Sequence, residues 1–246
     1  MKFKHKYYLI FLFFLLLLTI LFSLHFINTT TKRTEGFQYS KIVPHTFENN
    51  YVITEIYGFL SYDECDEIIN LARKKGFEES TVADTETESG SSINKSVRTS
   101  KTCWIDDFEN AIANKITESS IEMTKIPREN HEELQVAKYD IGGKFDRHHD
   151  YCDIDGNDNY CDKFNRNSGN RRSTLLVYLN DNFNGGETEF VQLGLKIKPE
   201  KGKAILFWNV DEKGGLYTQS EHCGNPVLNG EKIIATKWSH MYKFVK

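Results

Sequence analysis

No surplus of positive charge runs along this chain. Its 246 residues carry 31 lysines and arginines against 35 aspartates and glutamates, for a net charge of −4. With no basic stripe, nucleic acid is excluded as the main partner. Cysteine is sparse and odd in number, at five. The acidic stretch that starts at Asp153 lacks the glycine a calcium loop needs at its sixth position, where Asp158 stands. A solvated acidic connector is the simpler reading. The amino terminus also lacks a clear small-residue cleavage site.

What the amino terminus does have is apolar length. Tyr7 to Ile27 is almost unbroken Leu, Phe and Ile, interrupted mainly by Thr19, Ser23 and His25. Such a run crosses a hydrocarbon core of about 30 Å as one helix. A signal peptide, the rival reading, has an apolar region of only about 7 to 15 residues. Lys2, Lys4 and Lys6 precede the run, and Lys32 and Arg33 follow it. The denser cluster at the start places residues 1–6 in the cytosol. Residues 7–27 are then a transmembrane signal anchor, 28–50 a polar stem, and 51–246 one lumenal domain with a full-sized core. The expected topology is a single-pass type II membrane protein facing the endoplasmic reticulum lumen or an equivalent compartment.

Sequons at Asn28 and Asn94 are compatible with that location, although such triplets also arise by chance. In an oxidising lumen Cys152 and Cys161, which bracket the acidic loop, could be bridged; two free thiols are the alternative. Cys65 reads as a small buried hydrophobe, and Cys103 and Cys223 as packed and unreactive.

The domain opens with a strand in YVITEIYGFL. Ser61 then starts a helix, and Glu64 three residues on completes a capping box. Cys65, Ile68, Ile69 and Ala72 form its apolar face, and Gly76 ends it. A second helix is expected from Asp106 or Asp107 through Phe108, Ile112 and Ile116, stopping before Pro127. Ser80 to Ser96 has no periodicity and reads as a mobile loop, either a solvated insertion or a lid.

The chemistry gathers around His148 and Asp150. Apolar alternation from Leu134 to Tyr139 marks a strand, Gly142 and Gly143 a turn, and the strand resumes at Phe145. On a strand His148 and Asp150 project together while His149 turns away. His222 lies at another strand end; Pro226, Asn229 and Gly230 make the turn, and Lys232 opens the next strand. Two histidines and one carboxylate on one face of a metal, the other face open, are the ligand set of non-haem Fe(II) oxygenases. An isolated HxD means little, since short His/Asp clusters are common on loops. Lys232, ten residues past His222, fits a further need: a cation for the far carboxylate of a dicarboxylic co-substrate.

Other segments fall into line with these. Tyr139 stands nine residues before His148; Arg171 to Thr174 reads RxxT ahead of LLVYL; GGETEF spans Gly185 to Phe190; RTSKTCW spans Arg98 to Trp104; and Trp238 follows Lys232. The whole resembles the catalytic domain of prolyl 4-hydroxylases, the 2-oxoglutarate-dependent oxygenases that modify collagen-like chains, nearest their short plant, algal and large-virus forms. The resemblance runs from about Tyr51 to Tyr242.

It implies an α+β, mainly β fold: a double-stranded β-helix, the jelly-roll relative of cupins, with flanking helices. It also implies Fe(II) and ascorbate as cofactors, 2-oxoglutarate and O2 as co-substrates, and succinate and CO2 as co-products. Tyr139 and Thr188 become hydrogen-bond donors to 2-oxoglutarate beside Lys232. Trp238 becomes a pocket wall, with plain core packing equally open. Arg98, Trp104 and Arg171 become substrate-side residues facing a proline-containing, collagen-like polypeptide. The chain has no room for the separate peptide-binding and assembly regions of the animal enzymes, so a disulfide-isomerase partner is not expected. Two alternatives stay open: another 2-oxoglutarate oxygenase such as a lysyl hydroxylase, or a non-enzymatic, membrane-anchored binding module.

Overall fold

The structure is a computed structural model that describes residues 37–84, 87, 91–153, 165 and 167–245. The expected membrane span at 7–27, the sequon at Asn28 and Cys161 lie outside them. Among the described residues no helix is long and apolar enough to cross a membrane.

Two antiparallel sheets make the body. The major sheet orders eight strands as Lys41–Thr46, Val52–Tyr57, Ala204–Trp208, Arg171–Tyr178, Lys232–His240, Leu134–Tyr139, Lys101–Ile105 and Glu78–Glu79. The minor sheet orders four, Leu195–Ile197, Thr188–Phe190, His222–Gly224 and Phe145–His148. Among the described residues two α-helices, α1 (Tyr62–Lys75) and α2 (Ala111–Thr124), complete a mainly β fold of the jelly-roll kind.

Strand periodicity sorts the major sheet's side chains into two layers. Leu134, Val136, Leu175, Val177, Ile233 and Ala235 join Ile68, Ile69 and Ile116 of the helices in one core cluster. Their alternates Ala137, Tyr139, Leu176, Tyr178 and Ile234 join Phe190 of the minor sheet in the other. Lys232–His240 is buried along its whole length, because both of its faces are covered. Even-numbered positions of that strand therefore point to the space between the sheets.

Helix α1 forms as its sequence specifies. Ser61 Oγ accepts from the Glu64 amide (3.2 Å), and the Glu64 carboxylate accepts from the Ser61 amide (2.8 Å). Its buried residues are Cys65, Ile68, Ile69 and Ala72, and it ends at Gly76.

Helix α2 departs from expectation. It starts at Ala111, since Asn110 Oδ1 accepts from the amides of both Ile112 (2.8 Å) and Ala113 (3.1 Å). Two otherwise orphaned amides satisfied at once make Asn110 the better cap. Asp106 instead closes the preceding turn onto the Phe108 amide (2.8 Å), and Phe108 is left exposed.

The folded unit also begins earlier than position 51, at Tyr39. Residues expected to be stem form the edge strand Lys41–Thr46, paired along Val52–Tyr57. The Ser80–Ser96 segment is anchored rather than free in its described part. Val82–Ala83 pairs with Ser91–Ser92, and buried Ser80 meets Ser100 through their hydroxyls (2.7 Å). Cys152 is disulfide-bonded, whereas Cys65, Cys103 and Cys223 are free.

Replacing Ser61 by Ala is expected to lower stability by about 1 kcal/mol through loss of the Oγ acceptor for the Glu64 amide, the reciprocal bond from the backbone amide of residue 61 remaining. Chemical denaturation should show a lower midpoint with an unchanged slope, and an unmoved midpoint would show the box to be idle.

Candidate functional site

The minor sheet brings the two histidines together. His148 and His222 are direct partners in the antiparallel register, which places their rings 4.3 Å apart. Asp150 arrives differently from expectation. The strand ends at His148, so the carboxylate comes from the bend beyond it and not from strand alternation. It is held instead by Thr174, whose hydroxyl donates to Asp150 Oδ2 (2.6 Å). His149 stays outside the cluster and stacks on Tyr151 at 4.4 Å.

One donor atom from each of His148, Asp150 and His222 lies within 4.8 Å of the others. His148 Nε2 is 3.7 Å from Asp150 Oδ1, and His222 Nε2 is 3.9 Å from Asp150 Oδ2. The opposite ring nitrogens are committed: His148 Nδ1 donates to the Asp146 carbonyl and His222 Nδ1 to the Ser220 carbonyl, both at 2.8 Å. A carbonyl can only accept, so each Nε2 keeps its lone pair facing inward.

Burial and the neighbouring His222 push the His148 imidazole well below its usual value, which leaves it neutral and able to ligate. Burial alone would raise the Asp150 carboxyl. His222, His148, Arg171 and the Thr174 hydrogen bond outweigh that and hold it below the usual range. Two imidazole lone pairs and a buried carboxylate form a donor set suited to Fe(II), with all three protein ligands on one side.

The cavity beyond the triad is lined from the major sheet by Tyr139, Thr174, Leu176, Lys232, Ile234 and Trp238, among others, and from the minor sheet by Thr188. Lys232 sits opposite Tyr139 in register, 2% exposed. Its ammonium donates to the Gly186 carbonyl (2.6 Å) and lies 5.3 Å from the Tyr139 ring. Among the described residues no carboxylate forms an ion pair with it. Burial lowers its pKa to about 8. A buried cation with no carboxylate in contact is costly, and the cavity beside it is where an anion would relieve that cost.

Thr188 accepts a hydrogen bond from the Tyr178 hydroxyl (2.7 Å), so its own proton is available to a ligand. Trp238 carries the Arg171 guanidinium over its ring at 3.8 Å. Arg98 lines the cavity, donating to Ser100 (2.8 Å) and Gln135 (2.9 Å). It covers Phe145 at 4.7 Å, and that ring stacks on His148 at 3.6 Å.

Arg171 and Trp104 do not line the cavity. Arg171 is paired with buried Glu132 (2.6 and 3.2 Å) behind Trp238. Trp104 lies on the rim, 39% exposed and 6.2 Å from the Trp238 ring. Cys103 is packed in the helix-side core cluster, whereas Cys223 reaches the cavity. Asn94 is exposed and turned toward Ser96, whose hydroxyl donates to its Oδ1 (2.6 Å). Thr174, the last residue of RxxT, and Gly186, the second glycine of GGETEF, are partners of the site that those motifs alone do not reveal.

The family profile of the 2OG-Fe(II) oxygenase superfamily matches residues 134–240. Probable prolyl 4-hydroxylase 8 of Arabidopsis thaliana is 35% identical over 208 residues, covering 76% of this chain and 68% of that protein. Prolyl 4-hydroxylase 2 of the same plant is 36% identical over 211 residues, covering 77% and 67%. The structure of a viral collagen prolyl hydroxylase from Paramecium Bursaria Chlorella virus-1, in its 2OG complex, matches with a TM-score of 0.62. That chain is 35% identical, and the match covers 78% of this chain and 96% of that one.

Because Lys232 is charged below about 8 and neutral above, affinity for 2-oxoglutarate should fall as pH rises through that value. The dissociation constant is expected to climb toward about one decade per pH unit above it. Lys232→Ala should flatten the profile and weaken binding at neutral pH about ten- to a hundred-fold. A wild-type constant that ignores pH in this range would remove Lys232 from the site.

Proposed function

This chain belongs to the prolyl 4-hydroxylase family of 2OG-Fe(II) oxygenases, and on that premise we propose that its substrate is a collagen-like or otherwise proline-rich polypeptide of the secretory route. The activity is 2-oxoglutarate- and Fe(II)-dependent hydroxylation of peptidyl proline to 4-hydroxyproline. The observation that carries it is the pairing, in one buried cavity, of the His148–Asp150–His222 cluster with a cation, Lys232, that has no ion-pair partner among the described residues. When bound, Fe(II) supplies the open coordination face on which 2-oxoglutarate and O2 react, with succinate and CO2 released and one oxygen atom entering a C–H bond.

The protein's residues supply the rest. His148, Asp150 and His222 would hold the ion, their Nδ1 bonds keeping the rings in place. Lys232 receives the far carboxylate of 2-oxoglutarate, and Tyr139 and Thr188 direct their hydroxyls to it. Leu176, Ile234 and Trp238 exclude water, which strengthens every charge interaction inside. Ascorbate would be the accompanying reductant.

The compartment belongs to the same proposal. The apolar run at 7–27 and the lysines before it support a membrane anchor with a lumenal catalytic domain. The disulfide at Cys152 supports an oxidising compartment, and there Asn94 would be open to glycosylation.

With Fe(II), ascorbate, 2-oxoglutarate and a proline-rich peptide, the full chain should release succinate in step with 4-hydroxyproline, read by mass spectrometry. His222→Ala should abolish both while the circular dichroism of the fold persists, and His149→Ala should retain turnover. Peptide-independent succinate alone would sink the prolyl reading. For topology, a carboxyl-terminal tag in sealed microsomes should resist protease until detergent is added. Digestion without detergent would place the domain in the cytosol.

A further inference from the structure

We propose that Asn209 and Thr174 form a relay that holds Asp150 as a one-oxygen ligand, so that the metal meets Oδ1 alone. This rests on the reading of His148, Asp150 and His222 as the metal site and names two positioning residues for it.

The hydrogen bonds have only one consistent direction. Thr174 owns one hydroxyl proton, and an ionised carboxylate can only accept, so the proton is spent on Asp150 Oδ2 at 2.6 Å. The side-chain amide of Asn209 then approaches the same hydroxyl oxygen at 2.9 Å. It must present its NH2, because a carbonyl there would face a lone pair. Asn209 therefore locks the Thr174 proton toward Asp150.

The cost of this arrangement shows elsewhere in the same side chain. Asn209 is 0% exposed, yet its Oδ1 has no hydrogen-bond partner. A buried orphan acceptor is disfavoured, and an aliphatic residue would avoid it. What the amide provides in exchange is the donor to Thr174. Its backbone is pinned at the end of Ala204–Trp208: its amide donates to the Arg172 carbonyl and its carbonyl accepts from the Tyr217 amide, both at 2.9 Å. The relay thus runs from the strand Arg171–Tyr178 and the residue just past its neighbour Ala204–Trp208 onto a ligand that lies on no strand.

The purpose follows from counting coordination positions. Asp150 turns one oxygen toward each imidazole, Oδ1 at 3.7 Å from His148 and Oδ2 at 3.9 Å from His222. An unrestrained carboxylate there could chelate through both. On a six-coordinate ion, two imidazoles and a chelating carboxylate leave two positions. A bidentate co-substrate would fill both and leave none for O2. With Oδ2 engaged by Thr174, three positions stay open.

The test uses Co(II) as the probe, bound to the full chain without air or turnover. Thr174→Val removes the hydroxyl at nearly constant volume; Thr174→Ser keeps it. Asn209→Asp offers an acceptor that competes for the Thr174 proton. Thr174→Val and Asn209→Asp are expected to change the Co(II) ligand-field absorption and to weaken Co(II) binding about ten- to a hundred-fold. Thr174→Ser should restore both. With 2-oxoglutarate and Fe(II), Thr174→Val should lower kcat and leave the KM for peptide near wild type. A wild-type Co(II) spectrum in Thr174→Val, whatever its melting temperature, would make the two residues merely structural and overturn the relay. Loss of Co(II) binding in wild type, or its persistence in His222→Ala, would instead overturn the metal-site reading on which the relay stands.

Discussion

The register between two short strands of the minor sheet is the constraint on which the site depends. Pairing Phe145–His148 with His222–Gly224 sets His148 directly opposite His222. A slip of one residue would turn one of the two rings to the other face. Three features hold the register. Phe190 on the neighbouring strand pairs with His222; Phe207 of the major sheet meets the His222 ring at 4.9 Å; and Phe145 stacks on His148 under the Arg98 guanidinium. The two histidine ligands are thus wedged by aromatic packing before any ion arrives.

The treatment of buried charge separates structural cations from functional ones. Lys203 meets Glu55 at 2.8 Å, Lys237 meets Asp107 at 2.6 Å, and Arg171 meets Glu132 at 2.6 Å. Burial alone would raise the Glu132 carboxyl, but Arg171 and His240 hold it down at about 2, so that pair stays ionised behind Trp238. Lys232 and Arg98 are also buried but form no ion pair among the described residues, and both line the cavity. Isolated buried cations are tolerated where an incoming group completes them. For Lys232 that group is the co-substrate carboxylate.

Much of this was legible in the sequence because the decisive signals are local. The capping box at Ser61 and Glu64 needs only four residues, and the apolar face of α1 follows from helical spacing. The strand that Lys232 opens could be read from its turn and alternation. Signals failed where partners compete or lie far apart. Asp106 and Asn110 are both good caps, and only the geometry shows that Asn110 satisfies two amides. The strand Lys41–Thr46 looks like polar stem because it is an edge, exposed along most of its length; its identity comes from pairing with Val52–Tyr57. The expectation that strand alternation aims Asp150 reached the right residue by the wrong cause, since Thr174, 24 positions away, does the aiming.

The GGET turn shows how a short motif can encode a distant contact. Gly186 has φ +67°, and a Cβ there would stand 3.0 Å from Lys232 Cδ and 2.9 Å from the Phe183 ring. Gly185, at φ +75°, would drive a Cβ into the Pro226 carbonyl oxygen. Both glycines are therefore required twice over, by backbone conformation and by close approach. The chain runs this tightly because the Gly186 carbonyl must reach the ammonium of Lys232. Without that acceptor the buried lysine would have one fewer partner and a wider choice of rotamers. Fixing the ammonium before the co-substrate binds removes most of the ordering cost from the binding step. The two glycines and the lysine, 46 positions apart, are thus one device.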